Sequence, residues 1–447
     1  MTTRAVALML GCLVFVCCQR YQPAAPWSPP DDDAHDVDAL DADARHTHDA
    51  HDDHAIDGGA RSDAATNGDA TADGDAANAR RCVTHALPPE DLSATPTERG
   101  GVSVAYSGRA WGVAWTERVD GEDAVYFVSV GENGRRIDTP VRVTERGYRG
   151  RHPHVLWNGE QWMLFTSSSA ARFDEIWLQR LDARGALVGR ARRLTARDRH
   201  DRYPTVAPSP TGGWILAFSA EIEPRRHQVI ALRLGAWGQQ LSPPVELVER
   251  TTRITDVSIA PMREGLVVTW STLRSSTFAI EGVRTDGNGQ RITGAARVVT
   301  APHGLVDQAP RAALVDTSRG VTLAWEQWTH GSSGTRLAHF TRRLSSDFEA
   351  VTLEDPQATL RAPALATLDD ETIVLAVQRS AGELDQSVLI ETRTLDDRAL
   401  GARIRIRGHE GVAERPLVSV GRSAIAVVTR GPRGLALHRV PLVECPP

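Results

Sequence analysis

Tyr203-Pro204-Thr205-Val206-Ala207, a turn from Pro208 to Gly213, Trp214-Ile215-Leu216-Ala217-Phe218, a polar loop, Gln228-Val229-Ile230-Ala231-Leu232-Arg233-Leu234, a turn from Gly235 to Gly238, and Pro244-Val245-Glu246-Leu247-Val248 read as four short strands in succession. Each run is about five residues long, rich in β-branched or aromatic side chains, and closed by Gly or Pro, the pattern of short antiparallel strands. The preceding stretch repeats it with Pro153 to Leu156, Gln161 to Phe165, Glu175 to Leu181 and Ala191 to Thr195. The turn chemistry recurs as well, in Gly131-Glu132-Asn133-Gly134 and Asp286-Gly287-Asn288-Gly289.

Aligning the ends of the second strands gives Trp115, Phe165, Phe218, Trp270, Trp325, Val377 and Val428, at intervals of 50, 53, 52, 55, 52 and 51 residues. A period of this length with four strands per unit predicts an all-β chain, a seven-bladed β-propeller of four-stranded antiparallel blades. Second strands such as Leu266 to Trp270 and Ile373 to Val377 are almost continuously apolar. They need cover on both faces, which packing of blade on blade supplies, so the bulky residues at their ends are expected in the core between blades and not against a ligand.

The seventh unit has three strands, Pro416 to Val420, Ser423 to Val428 and Gly434 to Val440, and then the chain ends. The missing fourth is expected from Val83 to Leu87, which closes the ring by pairing the two ends of the domain. Cysteine usage agrees. Apart from Cys12, Cys17 and Cys18, only Cys82 and Cys445 remain, one beside each closing strand, and a disulfide between them is expected in an oxidising compartment.

Residues 1 to 81 are a different material. They hold 15 Asp, no Glu and 6 Arg, a balance of −9, whereas the rest of the chain carries +3. No lysine occurs, so every strong cation is Arg. Arg4 precedes an apolar run from Ala5 to Val16 that is too short to span a bilayer, and Cys17-Cys18 follow; residues 1–18 thus read as an export signal. Residues 19–81 are too polar and too acidic to build a core and are expected to form a disordered tether reaching about 45 Å or more. His35, His46, His48, His51 and His54 lie within it. Their richness is compositional, and a solvated spacer is expected there, not a selective metal site. The propeller itself is expected over 82–447.

With its signal, cysteine, spacer and seven repeats, the chain resembles exported bacterial β-propeller lipoproteins of uncharacterised function. The resemblance implies lipid attachment at Cys17 or Cys18 and display on the cell envelope, with ordinary signal cleavage as the alternative. It implies nothing about activity.

Enzyme signatures are missing. There is no Ser-x-Asp-x-Gly-x-x-Trp turn, phosphate loop, His-Glu-x-x-His helix or Gly-x-Ser-x-Gly elbow, and no cofactor, metal or nucleic-acid partner is expected. His152-Pro153-His154 and Arg199-His200-Asp201-Arg202 have ligand types without the spacing of a recognised metal site. The positional pattern worth following is Arg151, Arg202 and Arg361, each two residues ahead of a proline that opens a first strand, with Arg149, Arg199, Arg253 and Arg415 in the same connections. Radial symmetry brings such residues to the channel mouth, where guanidiniums suit carboxylate, sulfate or phosphate. Solvated loop charge is the competing reading, because Gln308 and Glu414 stand at the same position in two other blades. The chain is therefore expected to be a monomeric binding or protein-interaction module, with an anionic glycan or protein as partner. The alternative is a glycan hydrolase or lyase at the channel, for which Asp256, Asp307 and Asp316 are the inner-strand carboxylates.

Overall fold

In this computed structural model the described residues are 80–93, 101–170, 172–248, 254–274, 277–294, 296–299, 313–317, 320–329, 332–340, 350–382, 385–407 and 414–445. Cys17, Cys18, the five tether histidines, Arg253, Asp307 and Gln308 lie outside them, as do the side chains of Asp316, Glu414 and Arg415. Every regular element among the described residues is a β-strand.

Seven antiparallel sheets follow one another along the chain. Blade 2 shows the plan, with Arg149–Trp157, Trp162–Ser169, Glu175–Leu181 and Leu187–Arg193 in sequential order. Each blade's first strand contacts the first strand of the next, and Glu414–Val420 of blade 7 contacts Val102–Tyr106 of blade 1. That closed circuit makes the first strands the inner ring of a seven-bladed propeller.

Seven apolar clusters hold the ring, one at each seam between neighbouring blades. Phe165 and Phe218 meet Ile176, Leu178 and Leu232 between blades 2 and 3. All seven second-strand end residues, from Trp115 to Val428, are at most 4% exposed. Their burial matches the expectation that the repeat encodes packing. Gly112 belongs to the same logic, since a β-carbon there would lie 2.8 Å from the Trp162 ring and 2.9 Å from Phe127. The bare backbone is what lets blade 2's tryptophan reach blade 1.

The ring is closed by the chain ends, through a longer segment than expected. Blade 7's third strand, Gly434–Glu444, is 11 residues long. Its outer edge is covered by two pieces: Arg81–Val83 pairs with Leu442 to Glu444, and Glu90–Ser93 pairs with Leu435 to Leu437. Between them, Thr84 and Leu87 donate backbone N–H groups to Pro441 and Arg439 carbonyls. One five-residue strand at 83–87 is too short to satisfy that edge, and Pro88 and Pro89 bring no N–H to it, so pairing resumes only at Glu90. Val83 and Leu92 enter the clusters on either side of blade 7. Cys82 and Cys445 form a disulfide spanning 363 residues of chain.

Candidate ligand face at the inner-strand mouth

Arg151, Arg202 and Arg361 occupy one register. Each pairs with the second strand of its own blade, opposite Ser167, Ser219 and Gln378, and in each blade the pairing then slips by one residue before resuming at His154, Thr205 and Ala364. The slip contains the proline, which has no N–H to give to a ladder, so a bulge forms there. The residue between Arg and Pro takes a left-handed backbone in all three: φ is 51° at His152, 57° at Tyr203 and 44° at Ala362. Non-glycine residues rarely adopt such values, and each costs on the order of 1 kcal/mol or more.

The bulges send each arginine, or the backbone beside it, toward the preceding blade. Arg151 Nε and Nη2 lie 2.6 and 2.5 Å from Asp123 Oδ2. Arg202 Nε lies 2.5 Å from Asp174 Oδ2. In blade 6 the Ala362 N–H donates to Glu326 Oε2 at 3.2 Å. The arginines of blades 2 and 3 thus stand in blade-to-blade ion pairs while their side chains remain 40% and 34% exposed. Arg149 and Arg199 are exposed nearby.

The seam between blades 2 and 3 carries the densest chemistry. His200 Nδ1 lies 3.0 Å from the Asp174 N–H, 3.1 Å from Arg202 Nη2 and 3.2 Å from Asp174 Oδ2. The first two are donors, so a neutral Nδ1 accepts from them, while a protonated one donates to the carboxylate. Burial pushes the Asp174 carboxyl up, but the hydrogen bonds and charges of His200 and Arg202 outweigh it and hold the group well below the usual carboxylate range. Asp201 behaves oppositely. Its side chain has no exposed surface, and burial pushes its carboxyl up to about 6, opposed by the nearby Thr195 hydroxyl and by Arg197, whose Nε is 4.0 Å away. Neighbouring carboxyls with diverging proton affinities meet one electrostatic requirement of acid–base chemistry. The enclosure of Asp201 keeps any substrate from touching it in this conformation.

His154 has a different task. Its Nε2–H donates to the Val206 carbonyl of blade 3 at 3.1 Å, and burial, against that bond, pushes its pKa down to about 4, so it stays neutral near pH 7 as a stitch between inner strands. Of the acids expected on inner strands, Asp256 caps the Val257 N–H at 3.0 Å. Among the described residues no group of three His, Cys, Asp or Glu side chains is arranged to hold a metal ion.

Sequence reading found the arginines and missed their acids. A signal was present: Asp123 precedes Arg151 and Asp174 precedes Arg202 by the same 28 residues.

No family model and no curated protein matches the chain. Among solved structures it is similar to a protein of unknown function from Dyadobacter fermentans, at 13% identity over 67% of this chain and 96% of that one, with a TM-score of 0.47. An ulvan lyase representing a new polysaccharide lyase family is similar at 12% identity over 81% and 94%, TM-score 0.49. A Bombyx mori β-fructofuranosidase is similar at 8% identity over 80% and 91%, TM-score 0.38. None of these likenesses assigns an activity.

Proposed function

We propose that this chain is an exported, lipid-anchored β-propeller that binds an acidic ligand at the mouth of its inner strands, through Arg151, Arg202 and Arg361, without transforming it. The observation that carries the reading is the anchoring of Arg151 and Arg202 along one edge by a preceding-blade aspartate while a third or more of each side chain stays in solvent. A guanidinium fixed in this way loses little rotamer freedom on binding, and it still presents N–H donors in the planar arrangement that carboxylate and phosphate accept. The export signal, the cysteines at its end and the acidic spacer support display on an envelope, with Cys17 or Cys18 as the acylated residue.

The test is retention of the full-length chain on an anionic matrix as salt rises. Replacing Arg151, Arg202 and Arg361 together by Gln abolishes retention and lowers stability by about 1 to 3 kcal/mol, because Asp123 and Asp174, both largely buried, lose their guanidiniums. The control is Arg190→Gln, an exposed arginine on the outer edge of blade 2. Equal retention of variant and control overturns the reading. A glycan hydrolase or lyase is the competing reading, favoured only by the diverging proton affinities of Asp174 and Asp201, and it requires Asp201 to become accessible.

A further inference from the structure

We propose that the acidic ligand is a carboxylated sugar, its ring seated against a shelf formed by the tilted ring pair of His152 and Tyr203 and its carboxylate on Arg202. The proposal rests on the acidic-ligand reading above and names the chemical class. It starts from a comparison of the three bulges. They share the Arg-x-Pro sequence, the one-residue slip and the left-handed x residue. In blade 6 the x residue is Ala362, so the bulge itself has no need of a ring. In blades 2 and 3, which are adjacent, x is His152 and Tyr203, and their ring centroids are 4.4 Å apart at an interplanar angle of 47°. The two rings therefore meet across the seam between blades 2 and 3, where Arg202 also lies on Asp174, whereas Arg151 reaches Asp123 across the seam between blades 1 and 2.

Both rings are half-buried, and Tyr203 rests against the apolar cluster between blades 3 and 4. That backing fixes its ring at little entropic cost when a ligand arrives. A half-buried aromatic pair beside the planar donors of Arg202 suits a ligand with one apolar face and one anionic group. A uronic acid has both, in the C–H face of its ring and its carboxylate. An extended polyanion without rings offers only the second.

Blade 6 also shows that alanine adopts this backbone, so His152→Ala and Tyr203→Ala leave the bulge conformation intact. The experiment compares full-length wild type with these variants for binding of galacturonic acid oligomers and of polyglutamate at matched charge and salt. Wild type is expected to prefer the oligogalacturonate. Tyr203→Ala is expected to weaken that binding on the order of tenfold, the scale of a lost aromatic contact, with polyglutamate binding unchanged. Tyr203→Phe retains the preference. Tyr203→Leu keeps an apolar side chain against the core and loses the preference, which separates the shelf from packing if the alanine variant unfolds. Equal binding of both polymers by wild type, or equal loss of both in the ring variants, overturns the shelf and leaves the acidic-ligand reading standing. Failure of wild type to bind either polymer counts against both.

Discussion

The interior of each blade seam and its mouth are built by the same pair of blades, yet they obey different rules. Inside, every seam is filled by a bulky residue from the same repeat position, and all seven are buried. At the mouth the seams differ: Asp123 with Arg151, Asp174 with His200 and Arg202, and Glu326 with the Ala362 backbone. Apolar packing is non-directional, so any bulky residue at the repeat position satisfies it. Polar pairing is directional and is satisfied only by matched partners. The repeat therefore specifies the scaffold, and particularity sits where the repeat is broken.

Closing the ring gives the largest test of how far interior packing suffices. If the seam clusters hold the ends together unaided, breaking the covalent link costs little. The expectation is a loss of about 3 to 5 kcal/mol for Cys82→Ser with Cys445→Ser, because the bond closes nearly the whole domain and its removal frees the unfolded chain. Denaturant unfolding of the oxidised wild type against the double variant measures it. A loss below about 1 kcal/mol would show that end-strand pairing alone is enough.

Next comes the interior itself. Phe218→Ala empties a side chain that is 1% exposed between blades 2 and 3 and is expected to cost about 3 to 4 kcal/mol. The triple Arg→Gln variant at the mouth is expected to cost less, about 1 to 3 kcal/mol, most of it from Asp123 and Asp174 losing their guanidiniums. Similar losses at the two places would erase the distinction between packed interior and polar mouth.

The buried carboxyl at the mouth is expected to have a smaller effect, and one that depends on pH. Asp201 has a folded-state pKa of about 6, above the usual value of about 3.9 that it regains on unfolding. The folded state thus holds its proton more tightly. Its contribution is most favourable below the unfolded pKa and is lost as pH rises through the folded one, so the domain gains stability between pH 7 and pH 4, by at most about 3 kcal/mol from this group. Asp174, whose pKa is lowered, opposes this only near and below pH 4, where its own stabilising charge begins to be lost. The difference between wild type and Asp201→Asn isolates the effect, since other titrating groups cancel. A difference that stays flat from pH 7 to pH 4 would mean that Asp201 is hydrated and ordinary.

The sequence by itself determined the number of blades, the burial of the residues from Trp115 to Val428, the pairing of chain ends and the partnership of Cys82 with Cys445. These were legible because they follow from periodicity and from counting, which need no knowledge of angles. It also placed Arg151, Arg202 and Arg361 in one register, because proline marks the bulge in plain sequence. Only the tertiary structure decided what those arginines do. The bulge turns the chain at His152 and Tyr203, and the direction of that turn, set by backbone conformation, sends the guanidiniums toward Asp123 and Asp174 of the preceding blade. It likewise enclosed Asp201 while leaving its neighbour Arg202 a third exposed. In a strand, adjacent residues face opposite ways, and which way is in depends on the blade packed alongside.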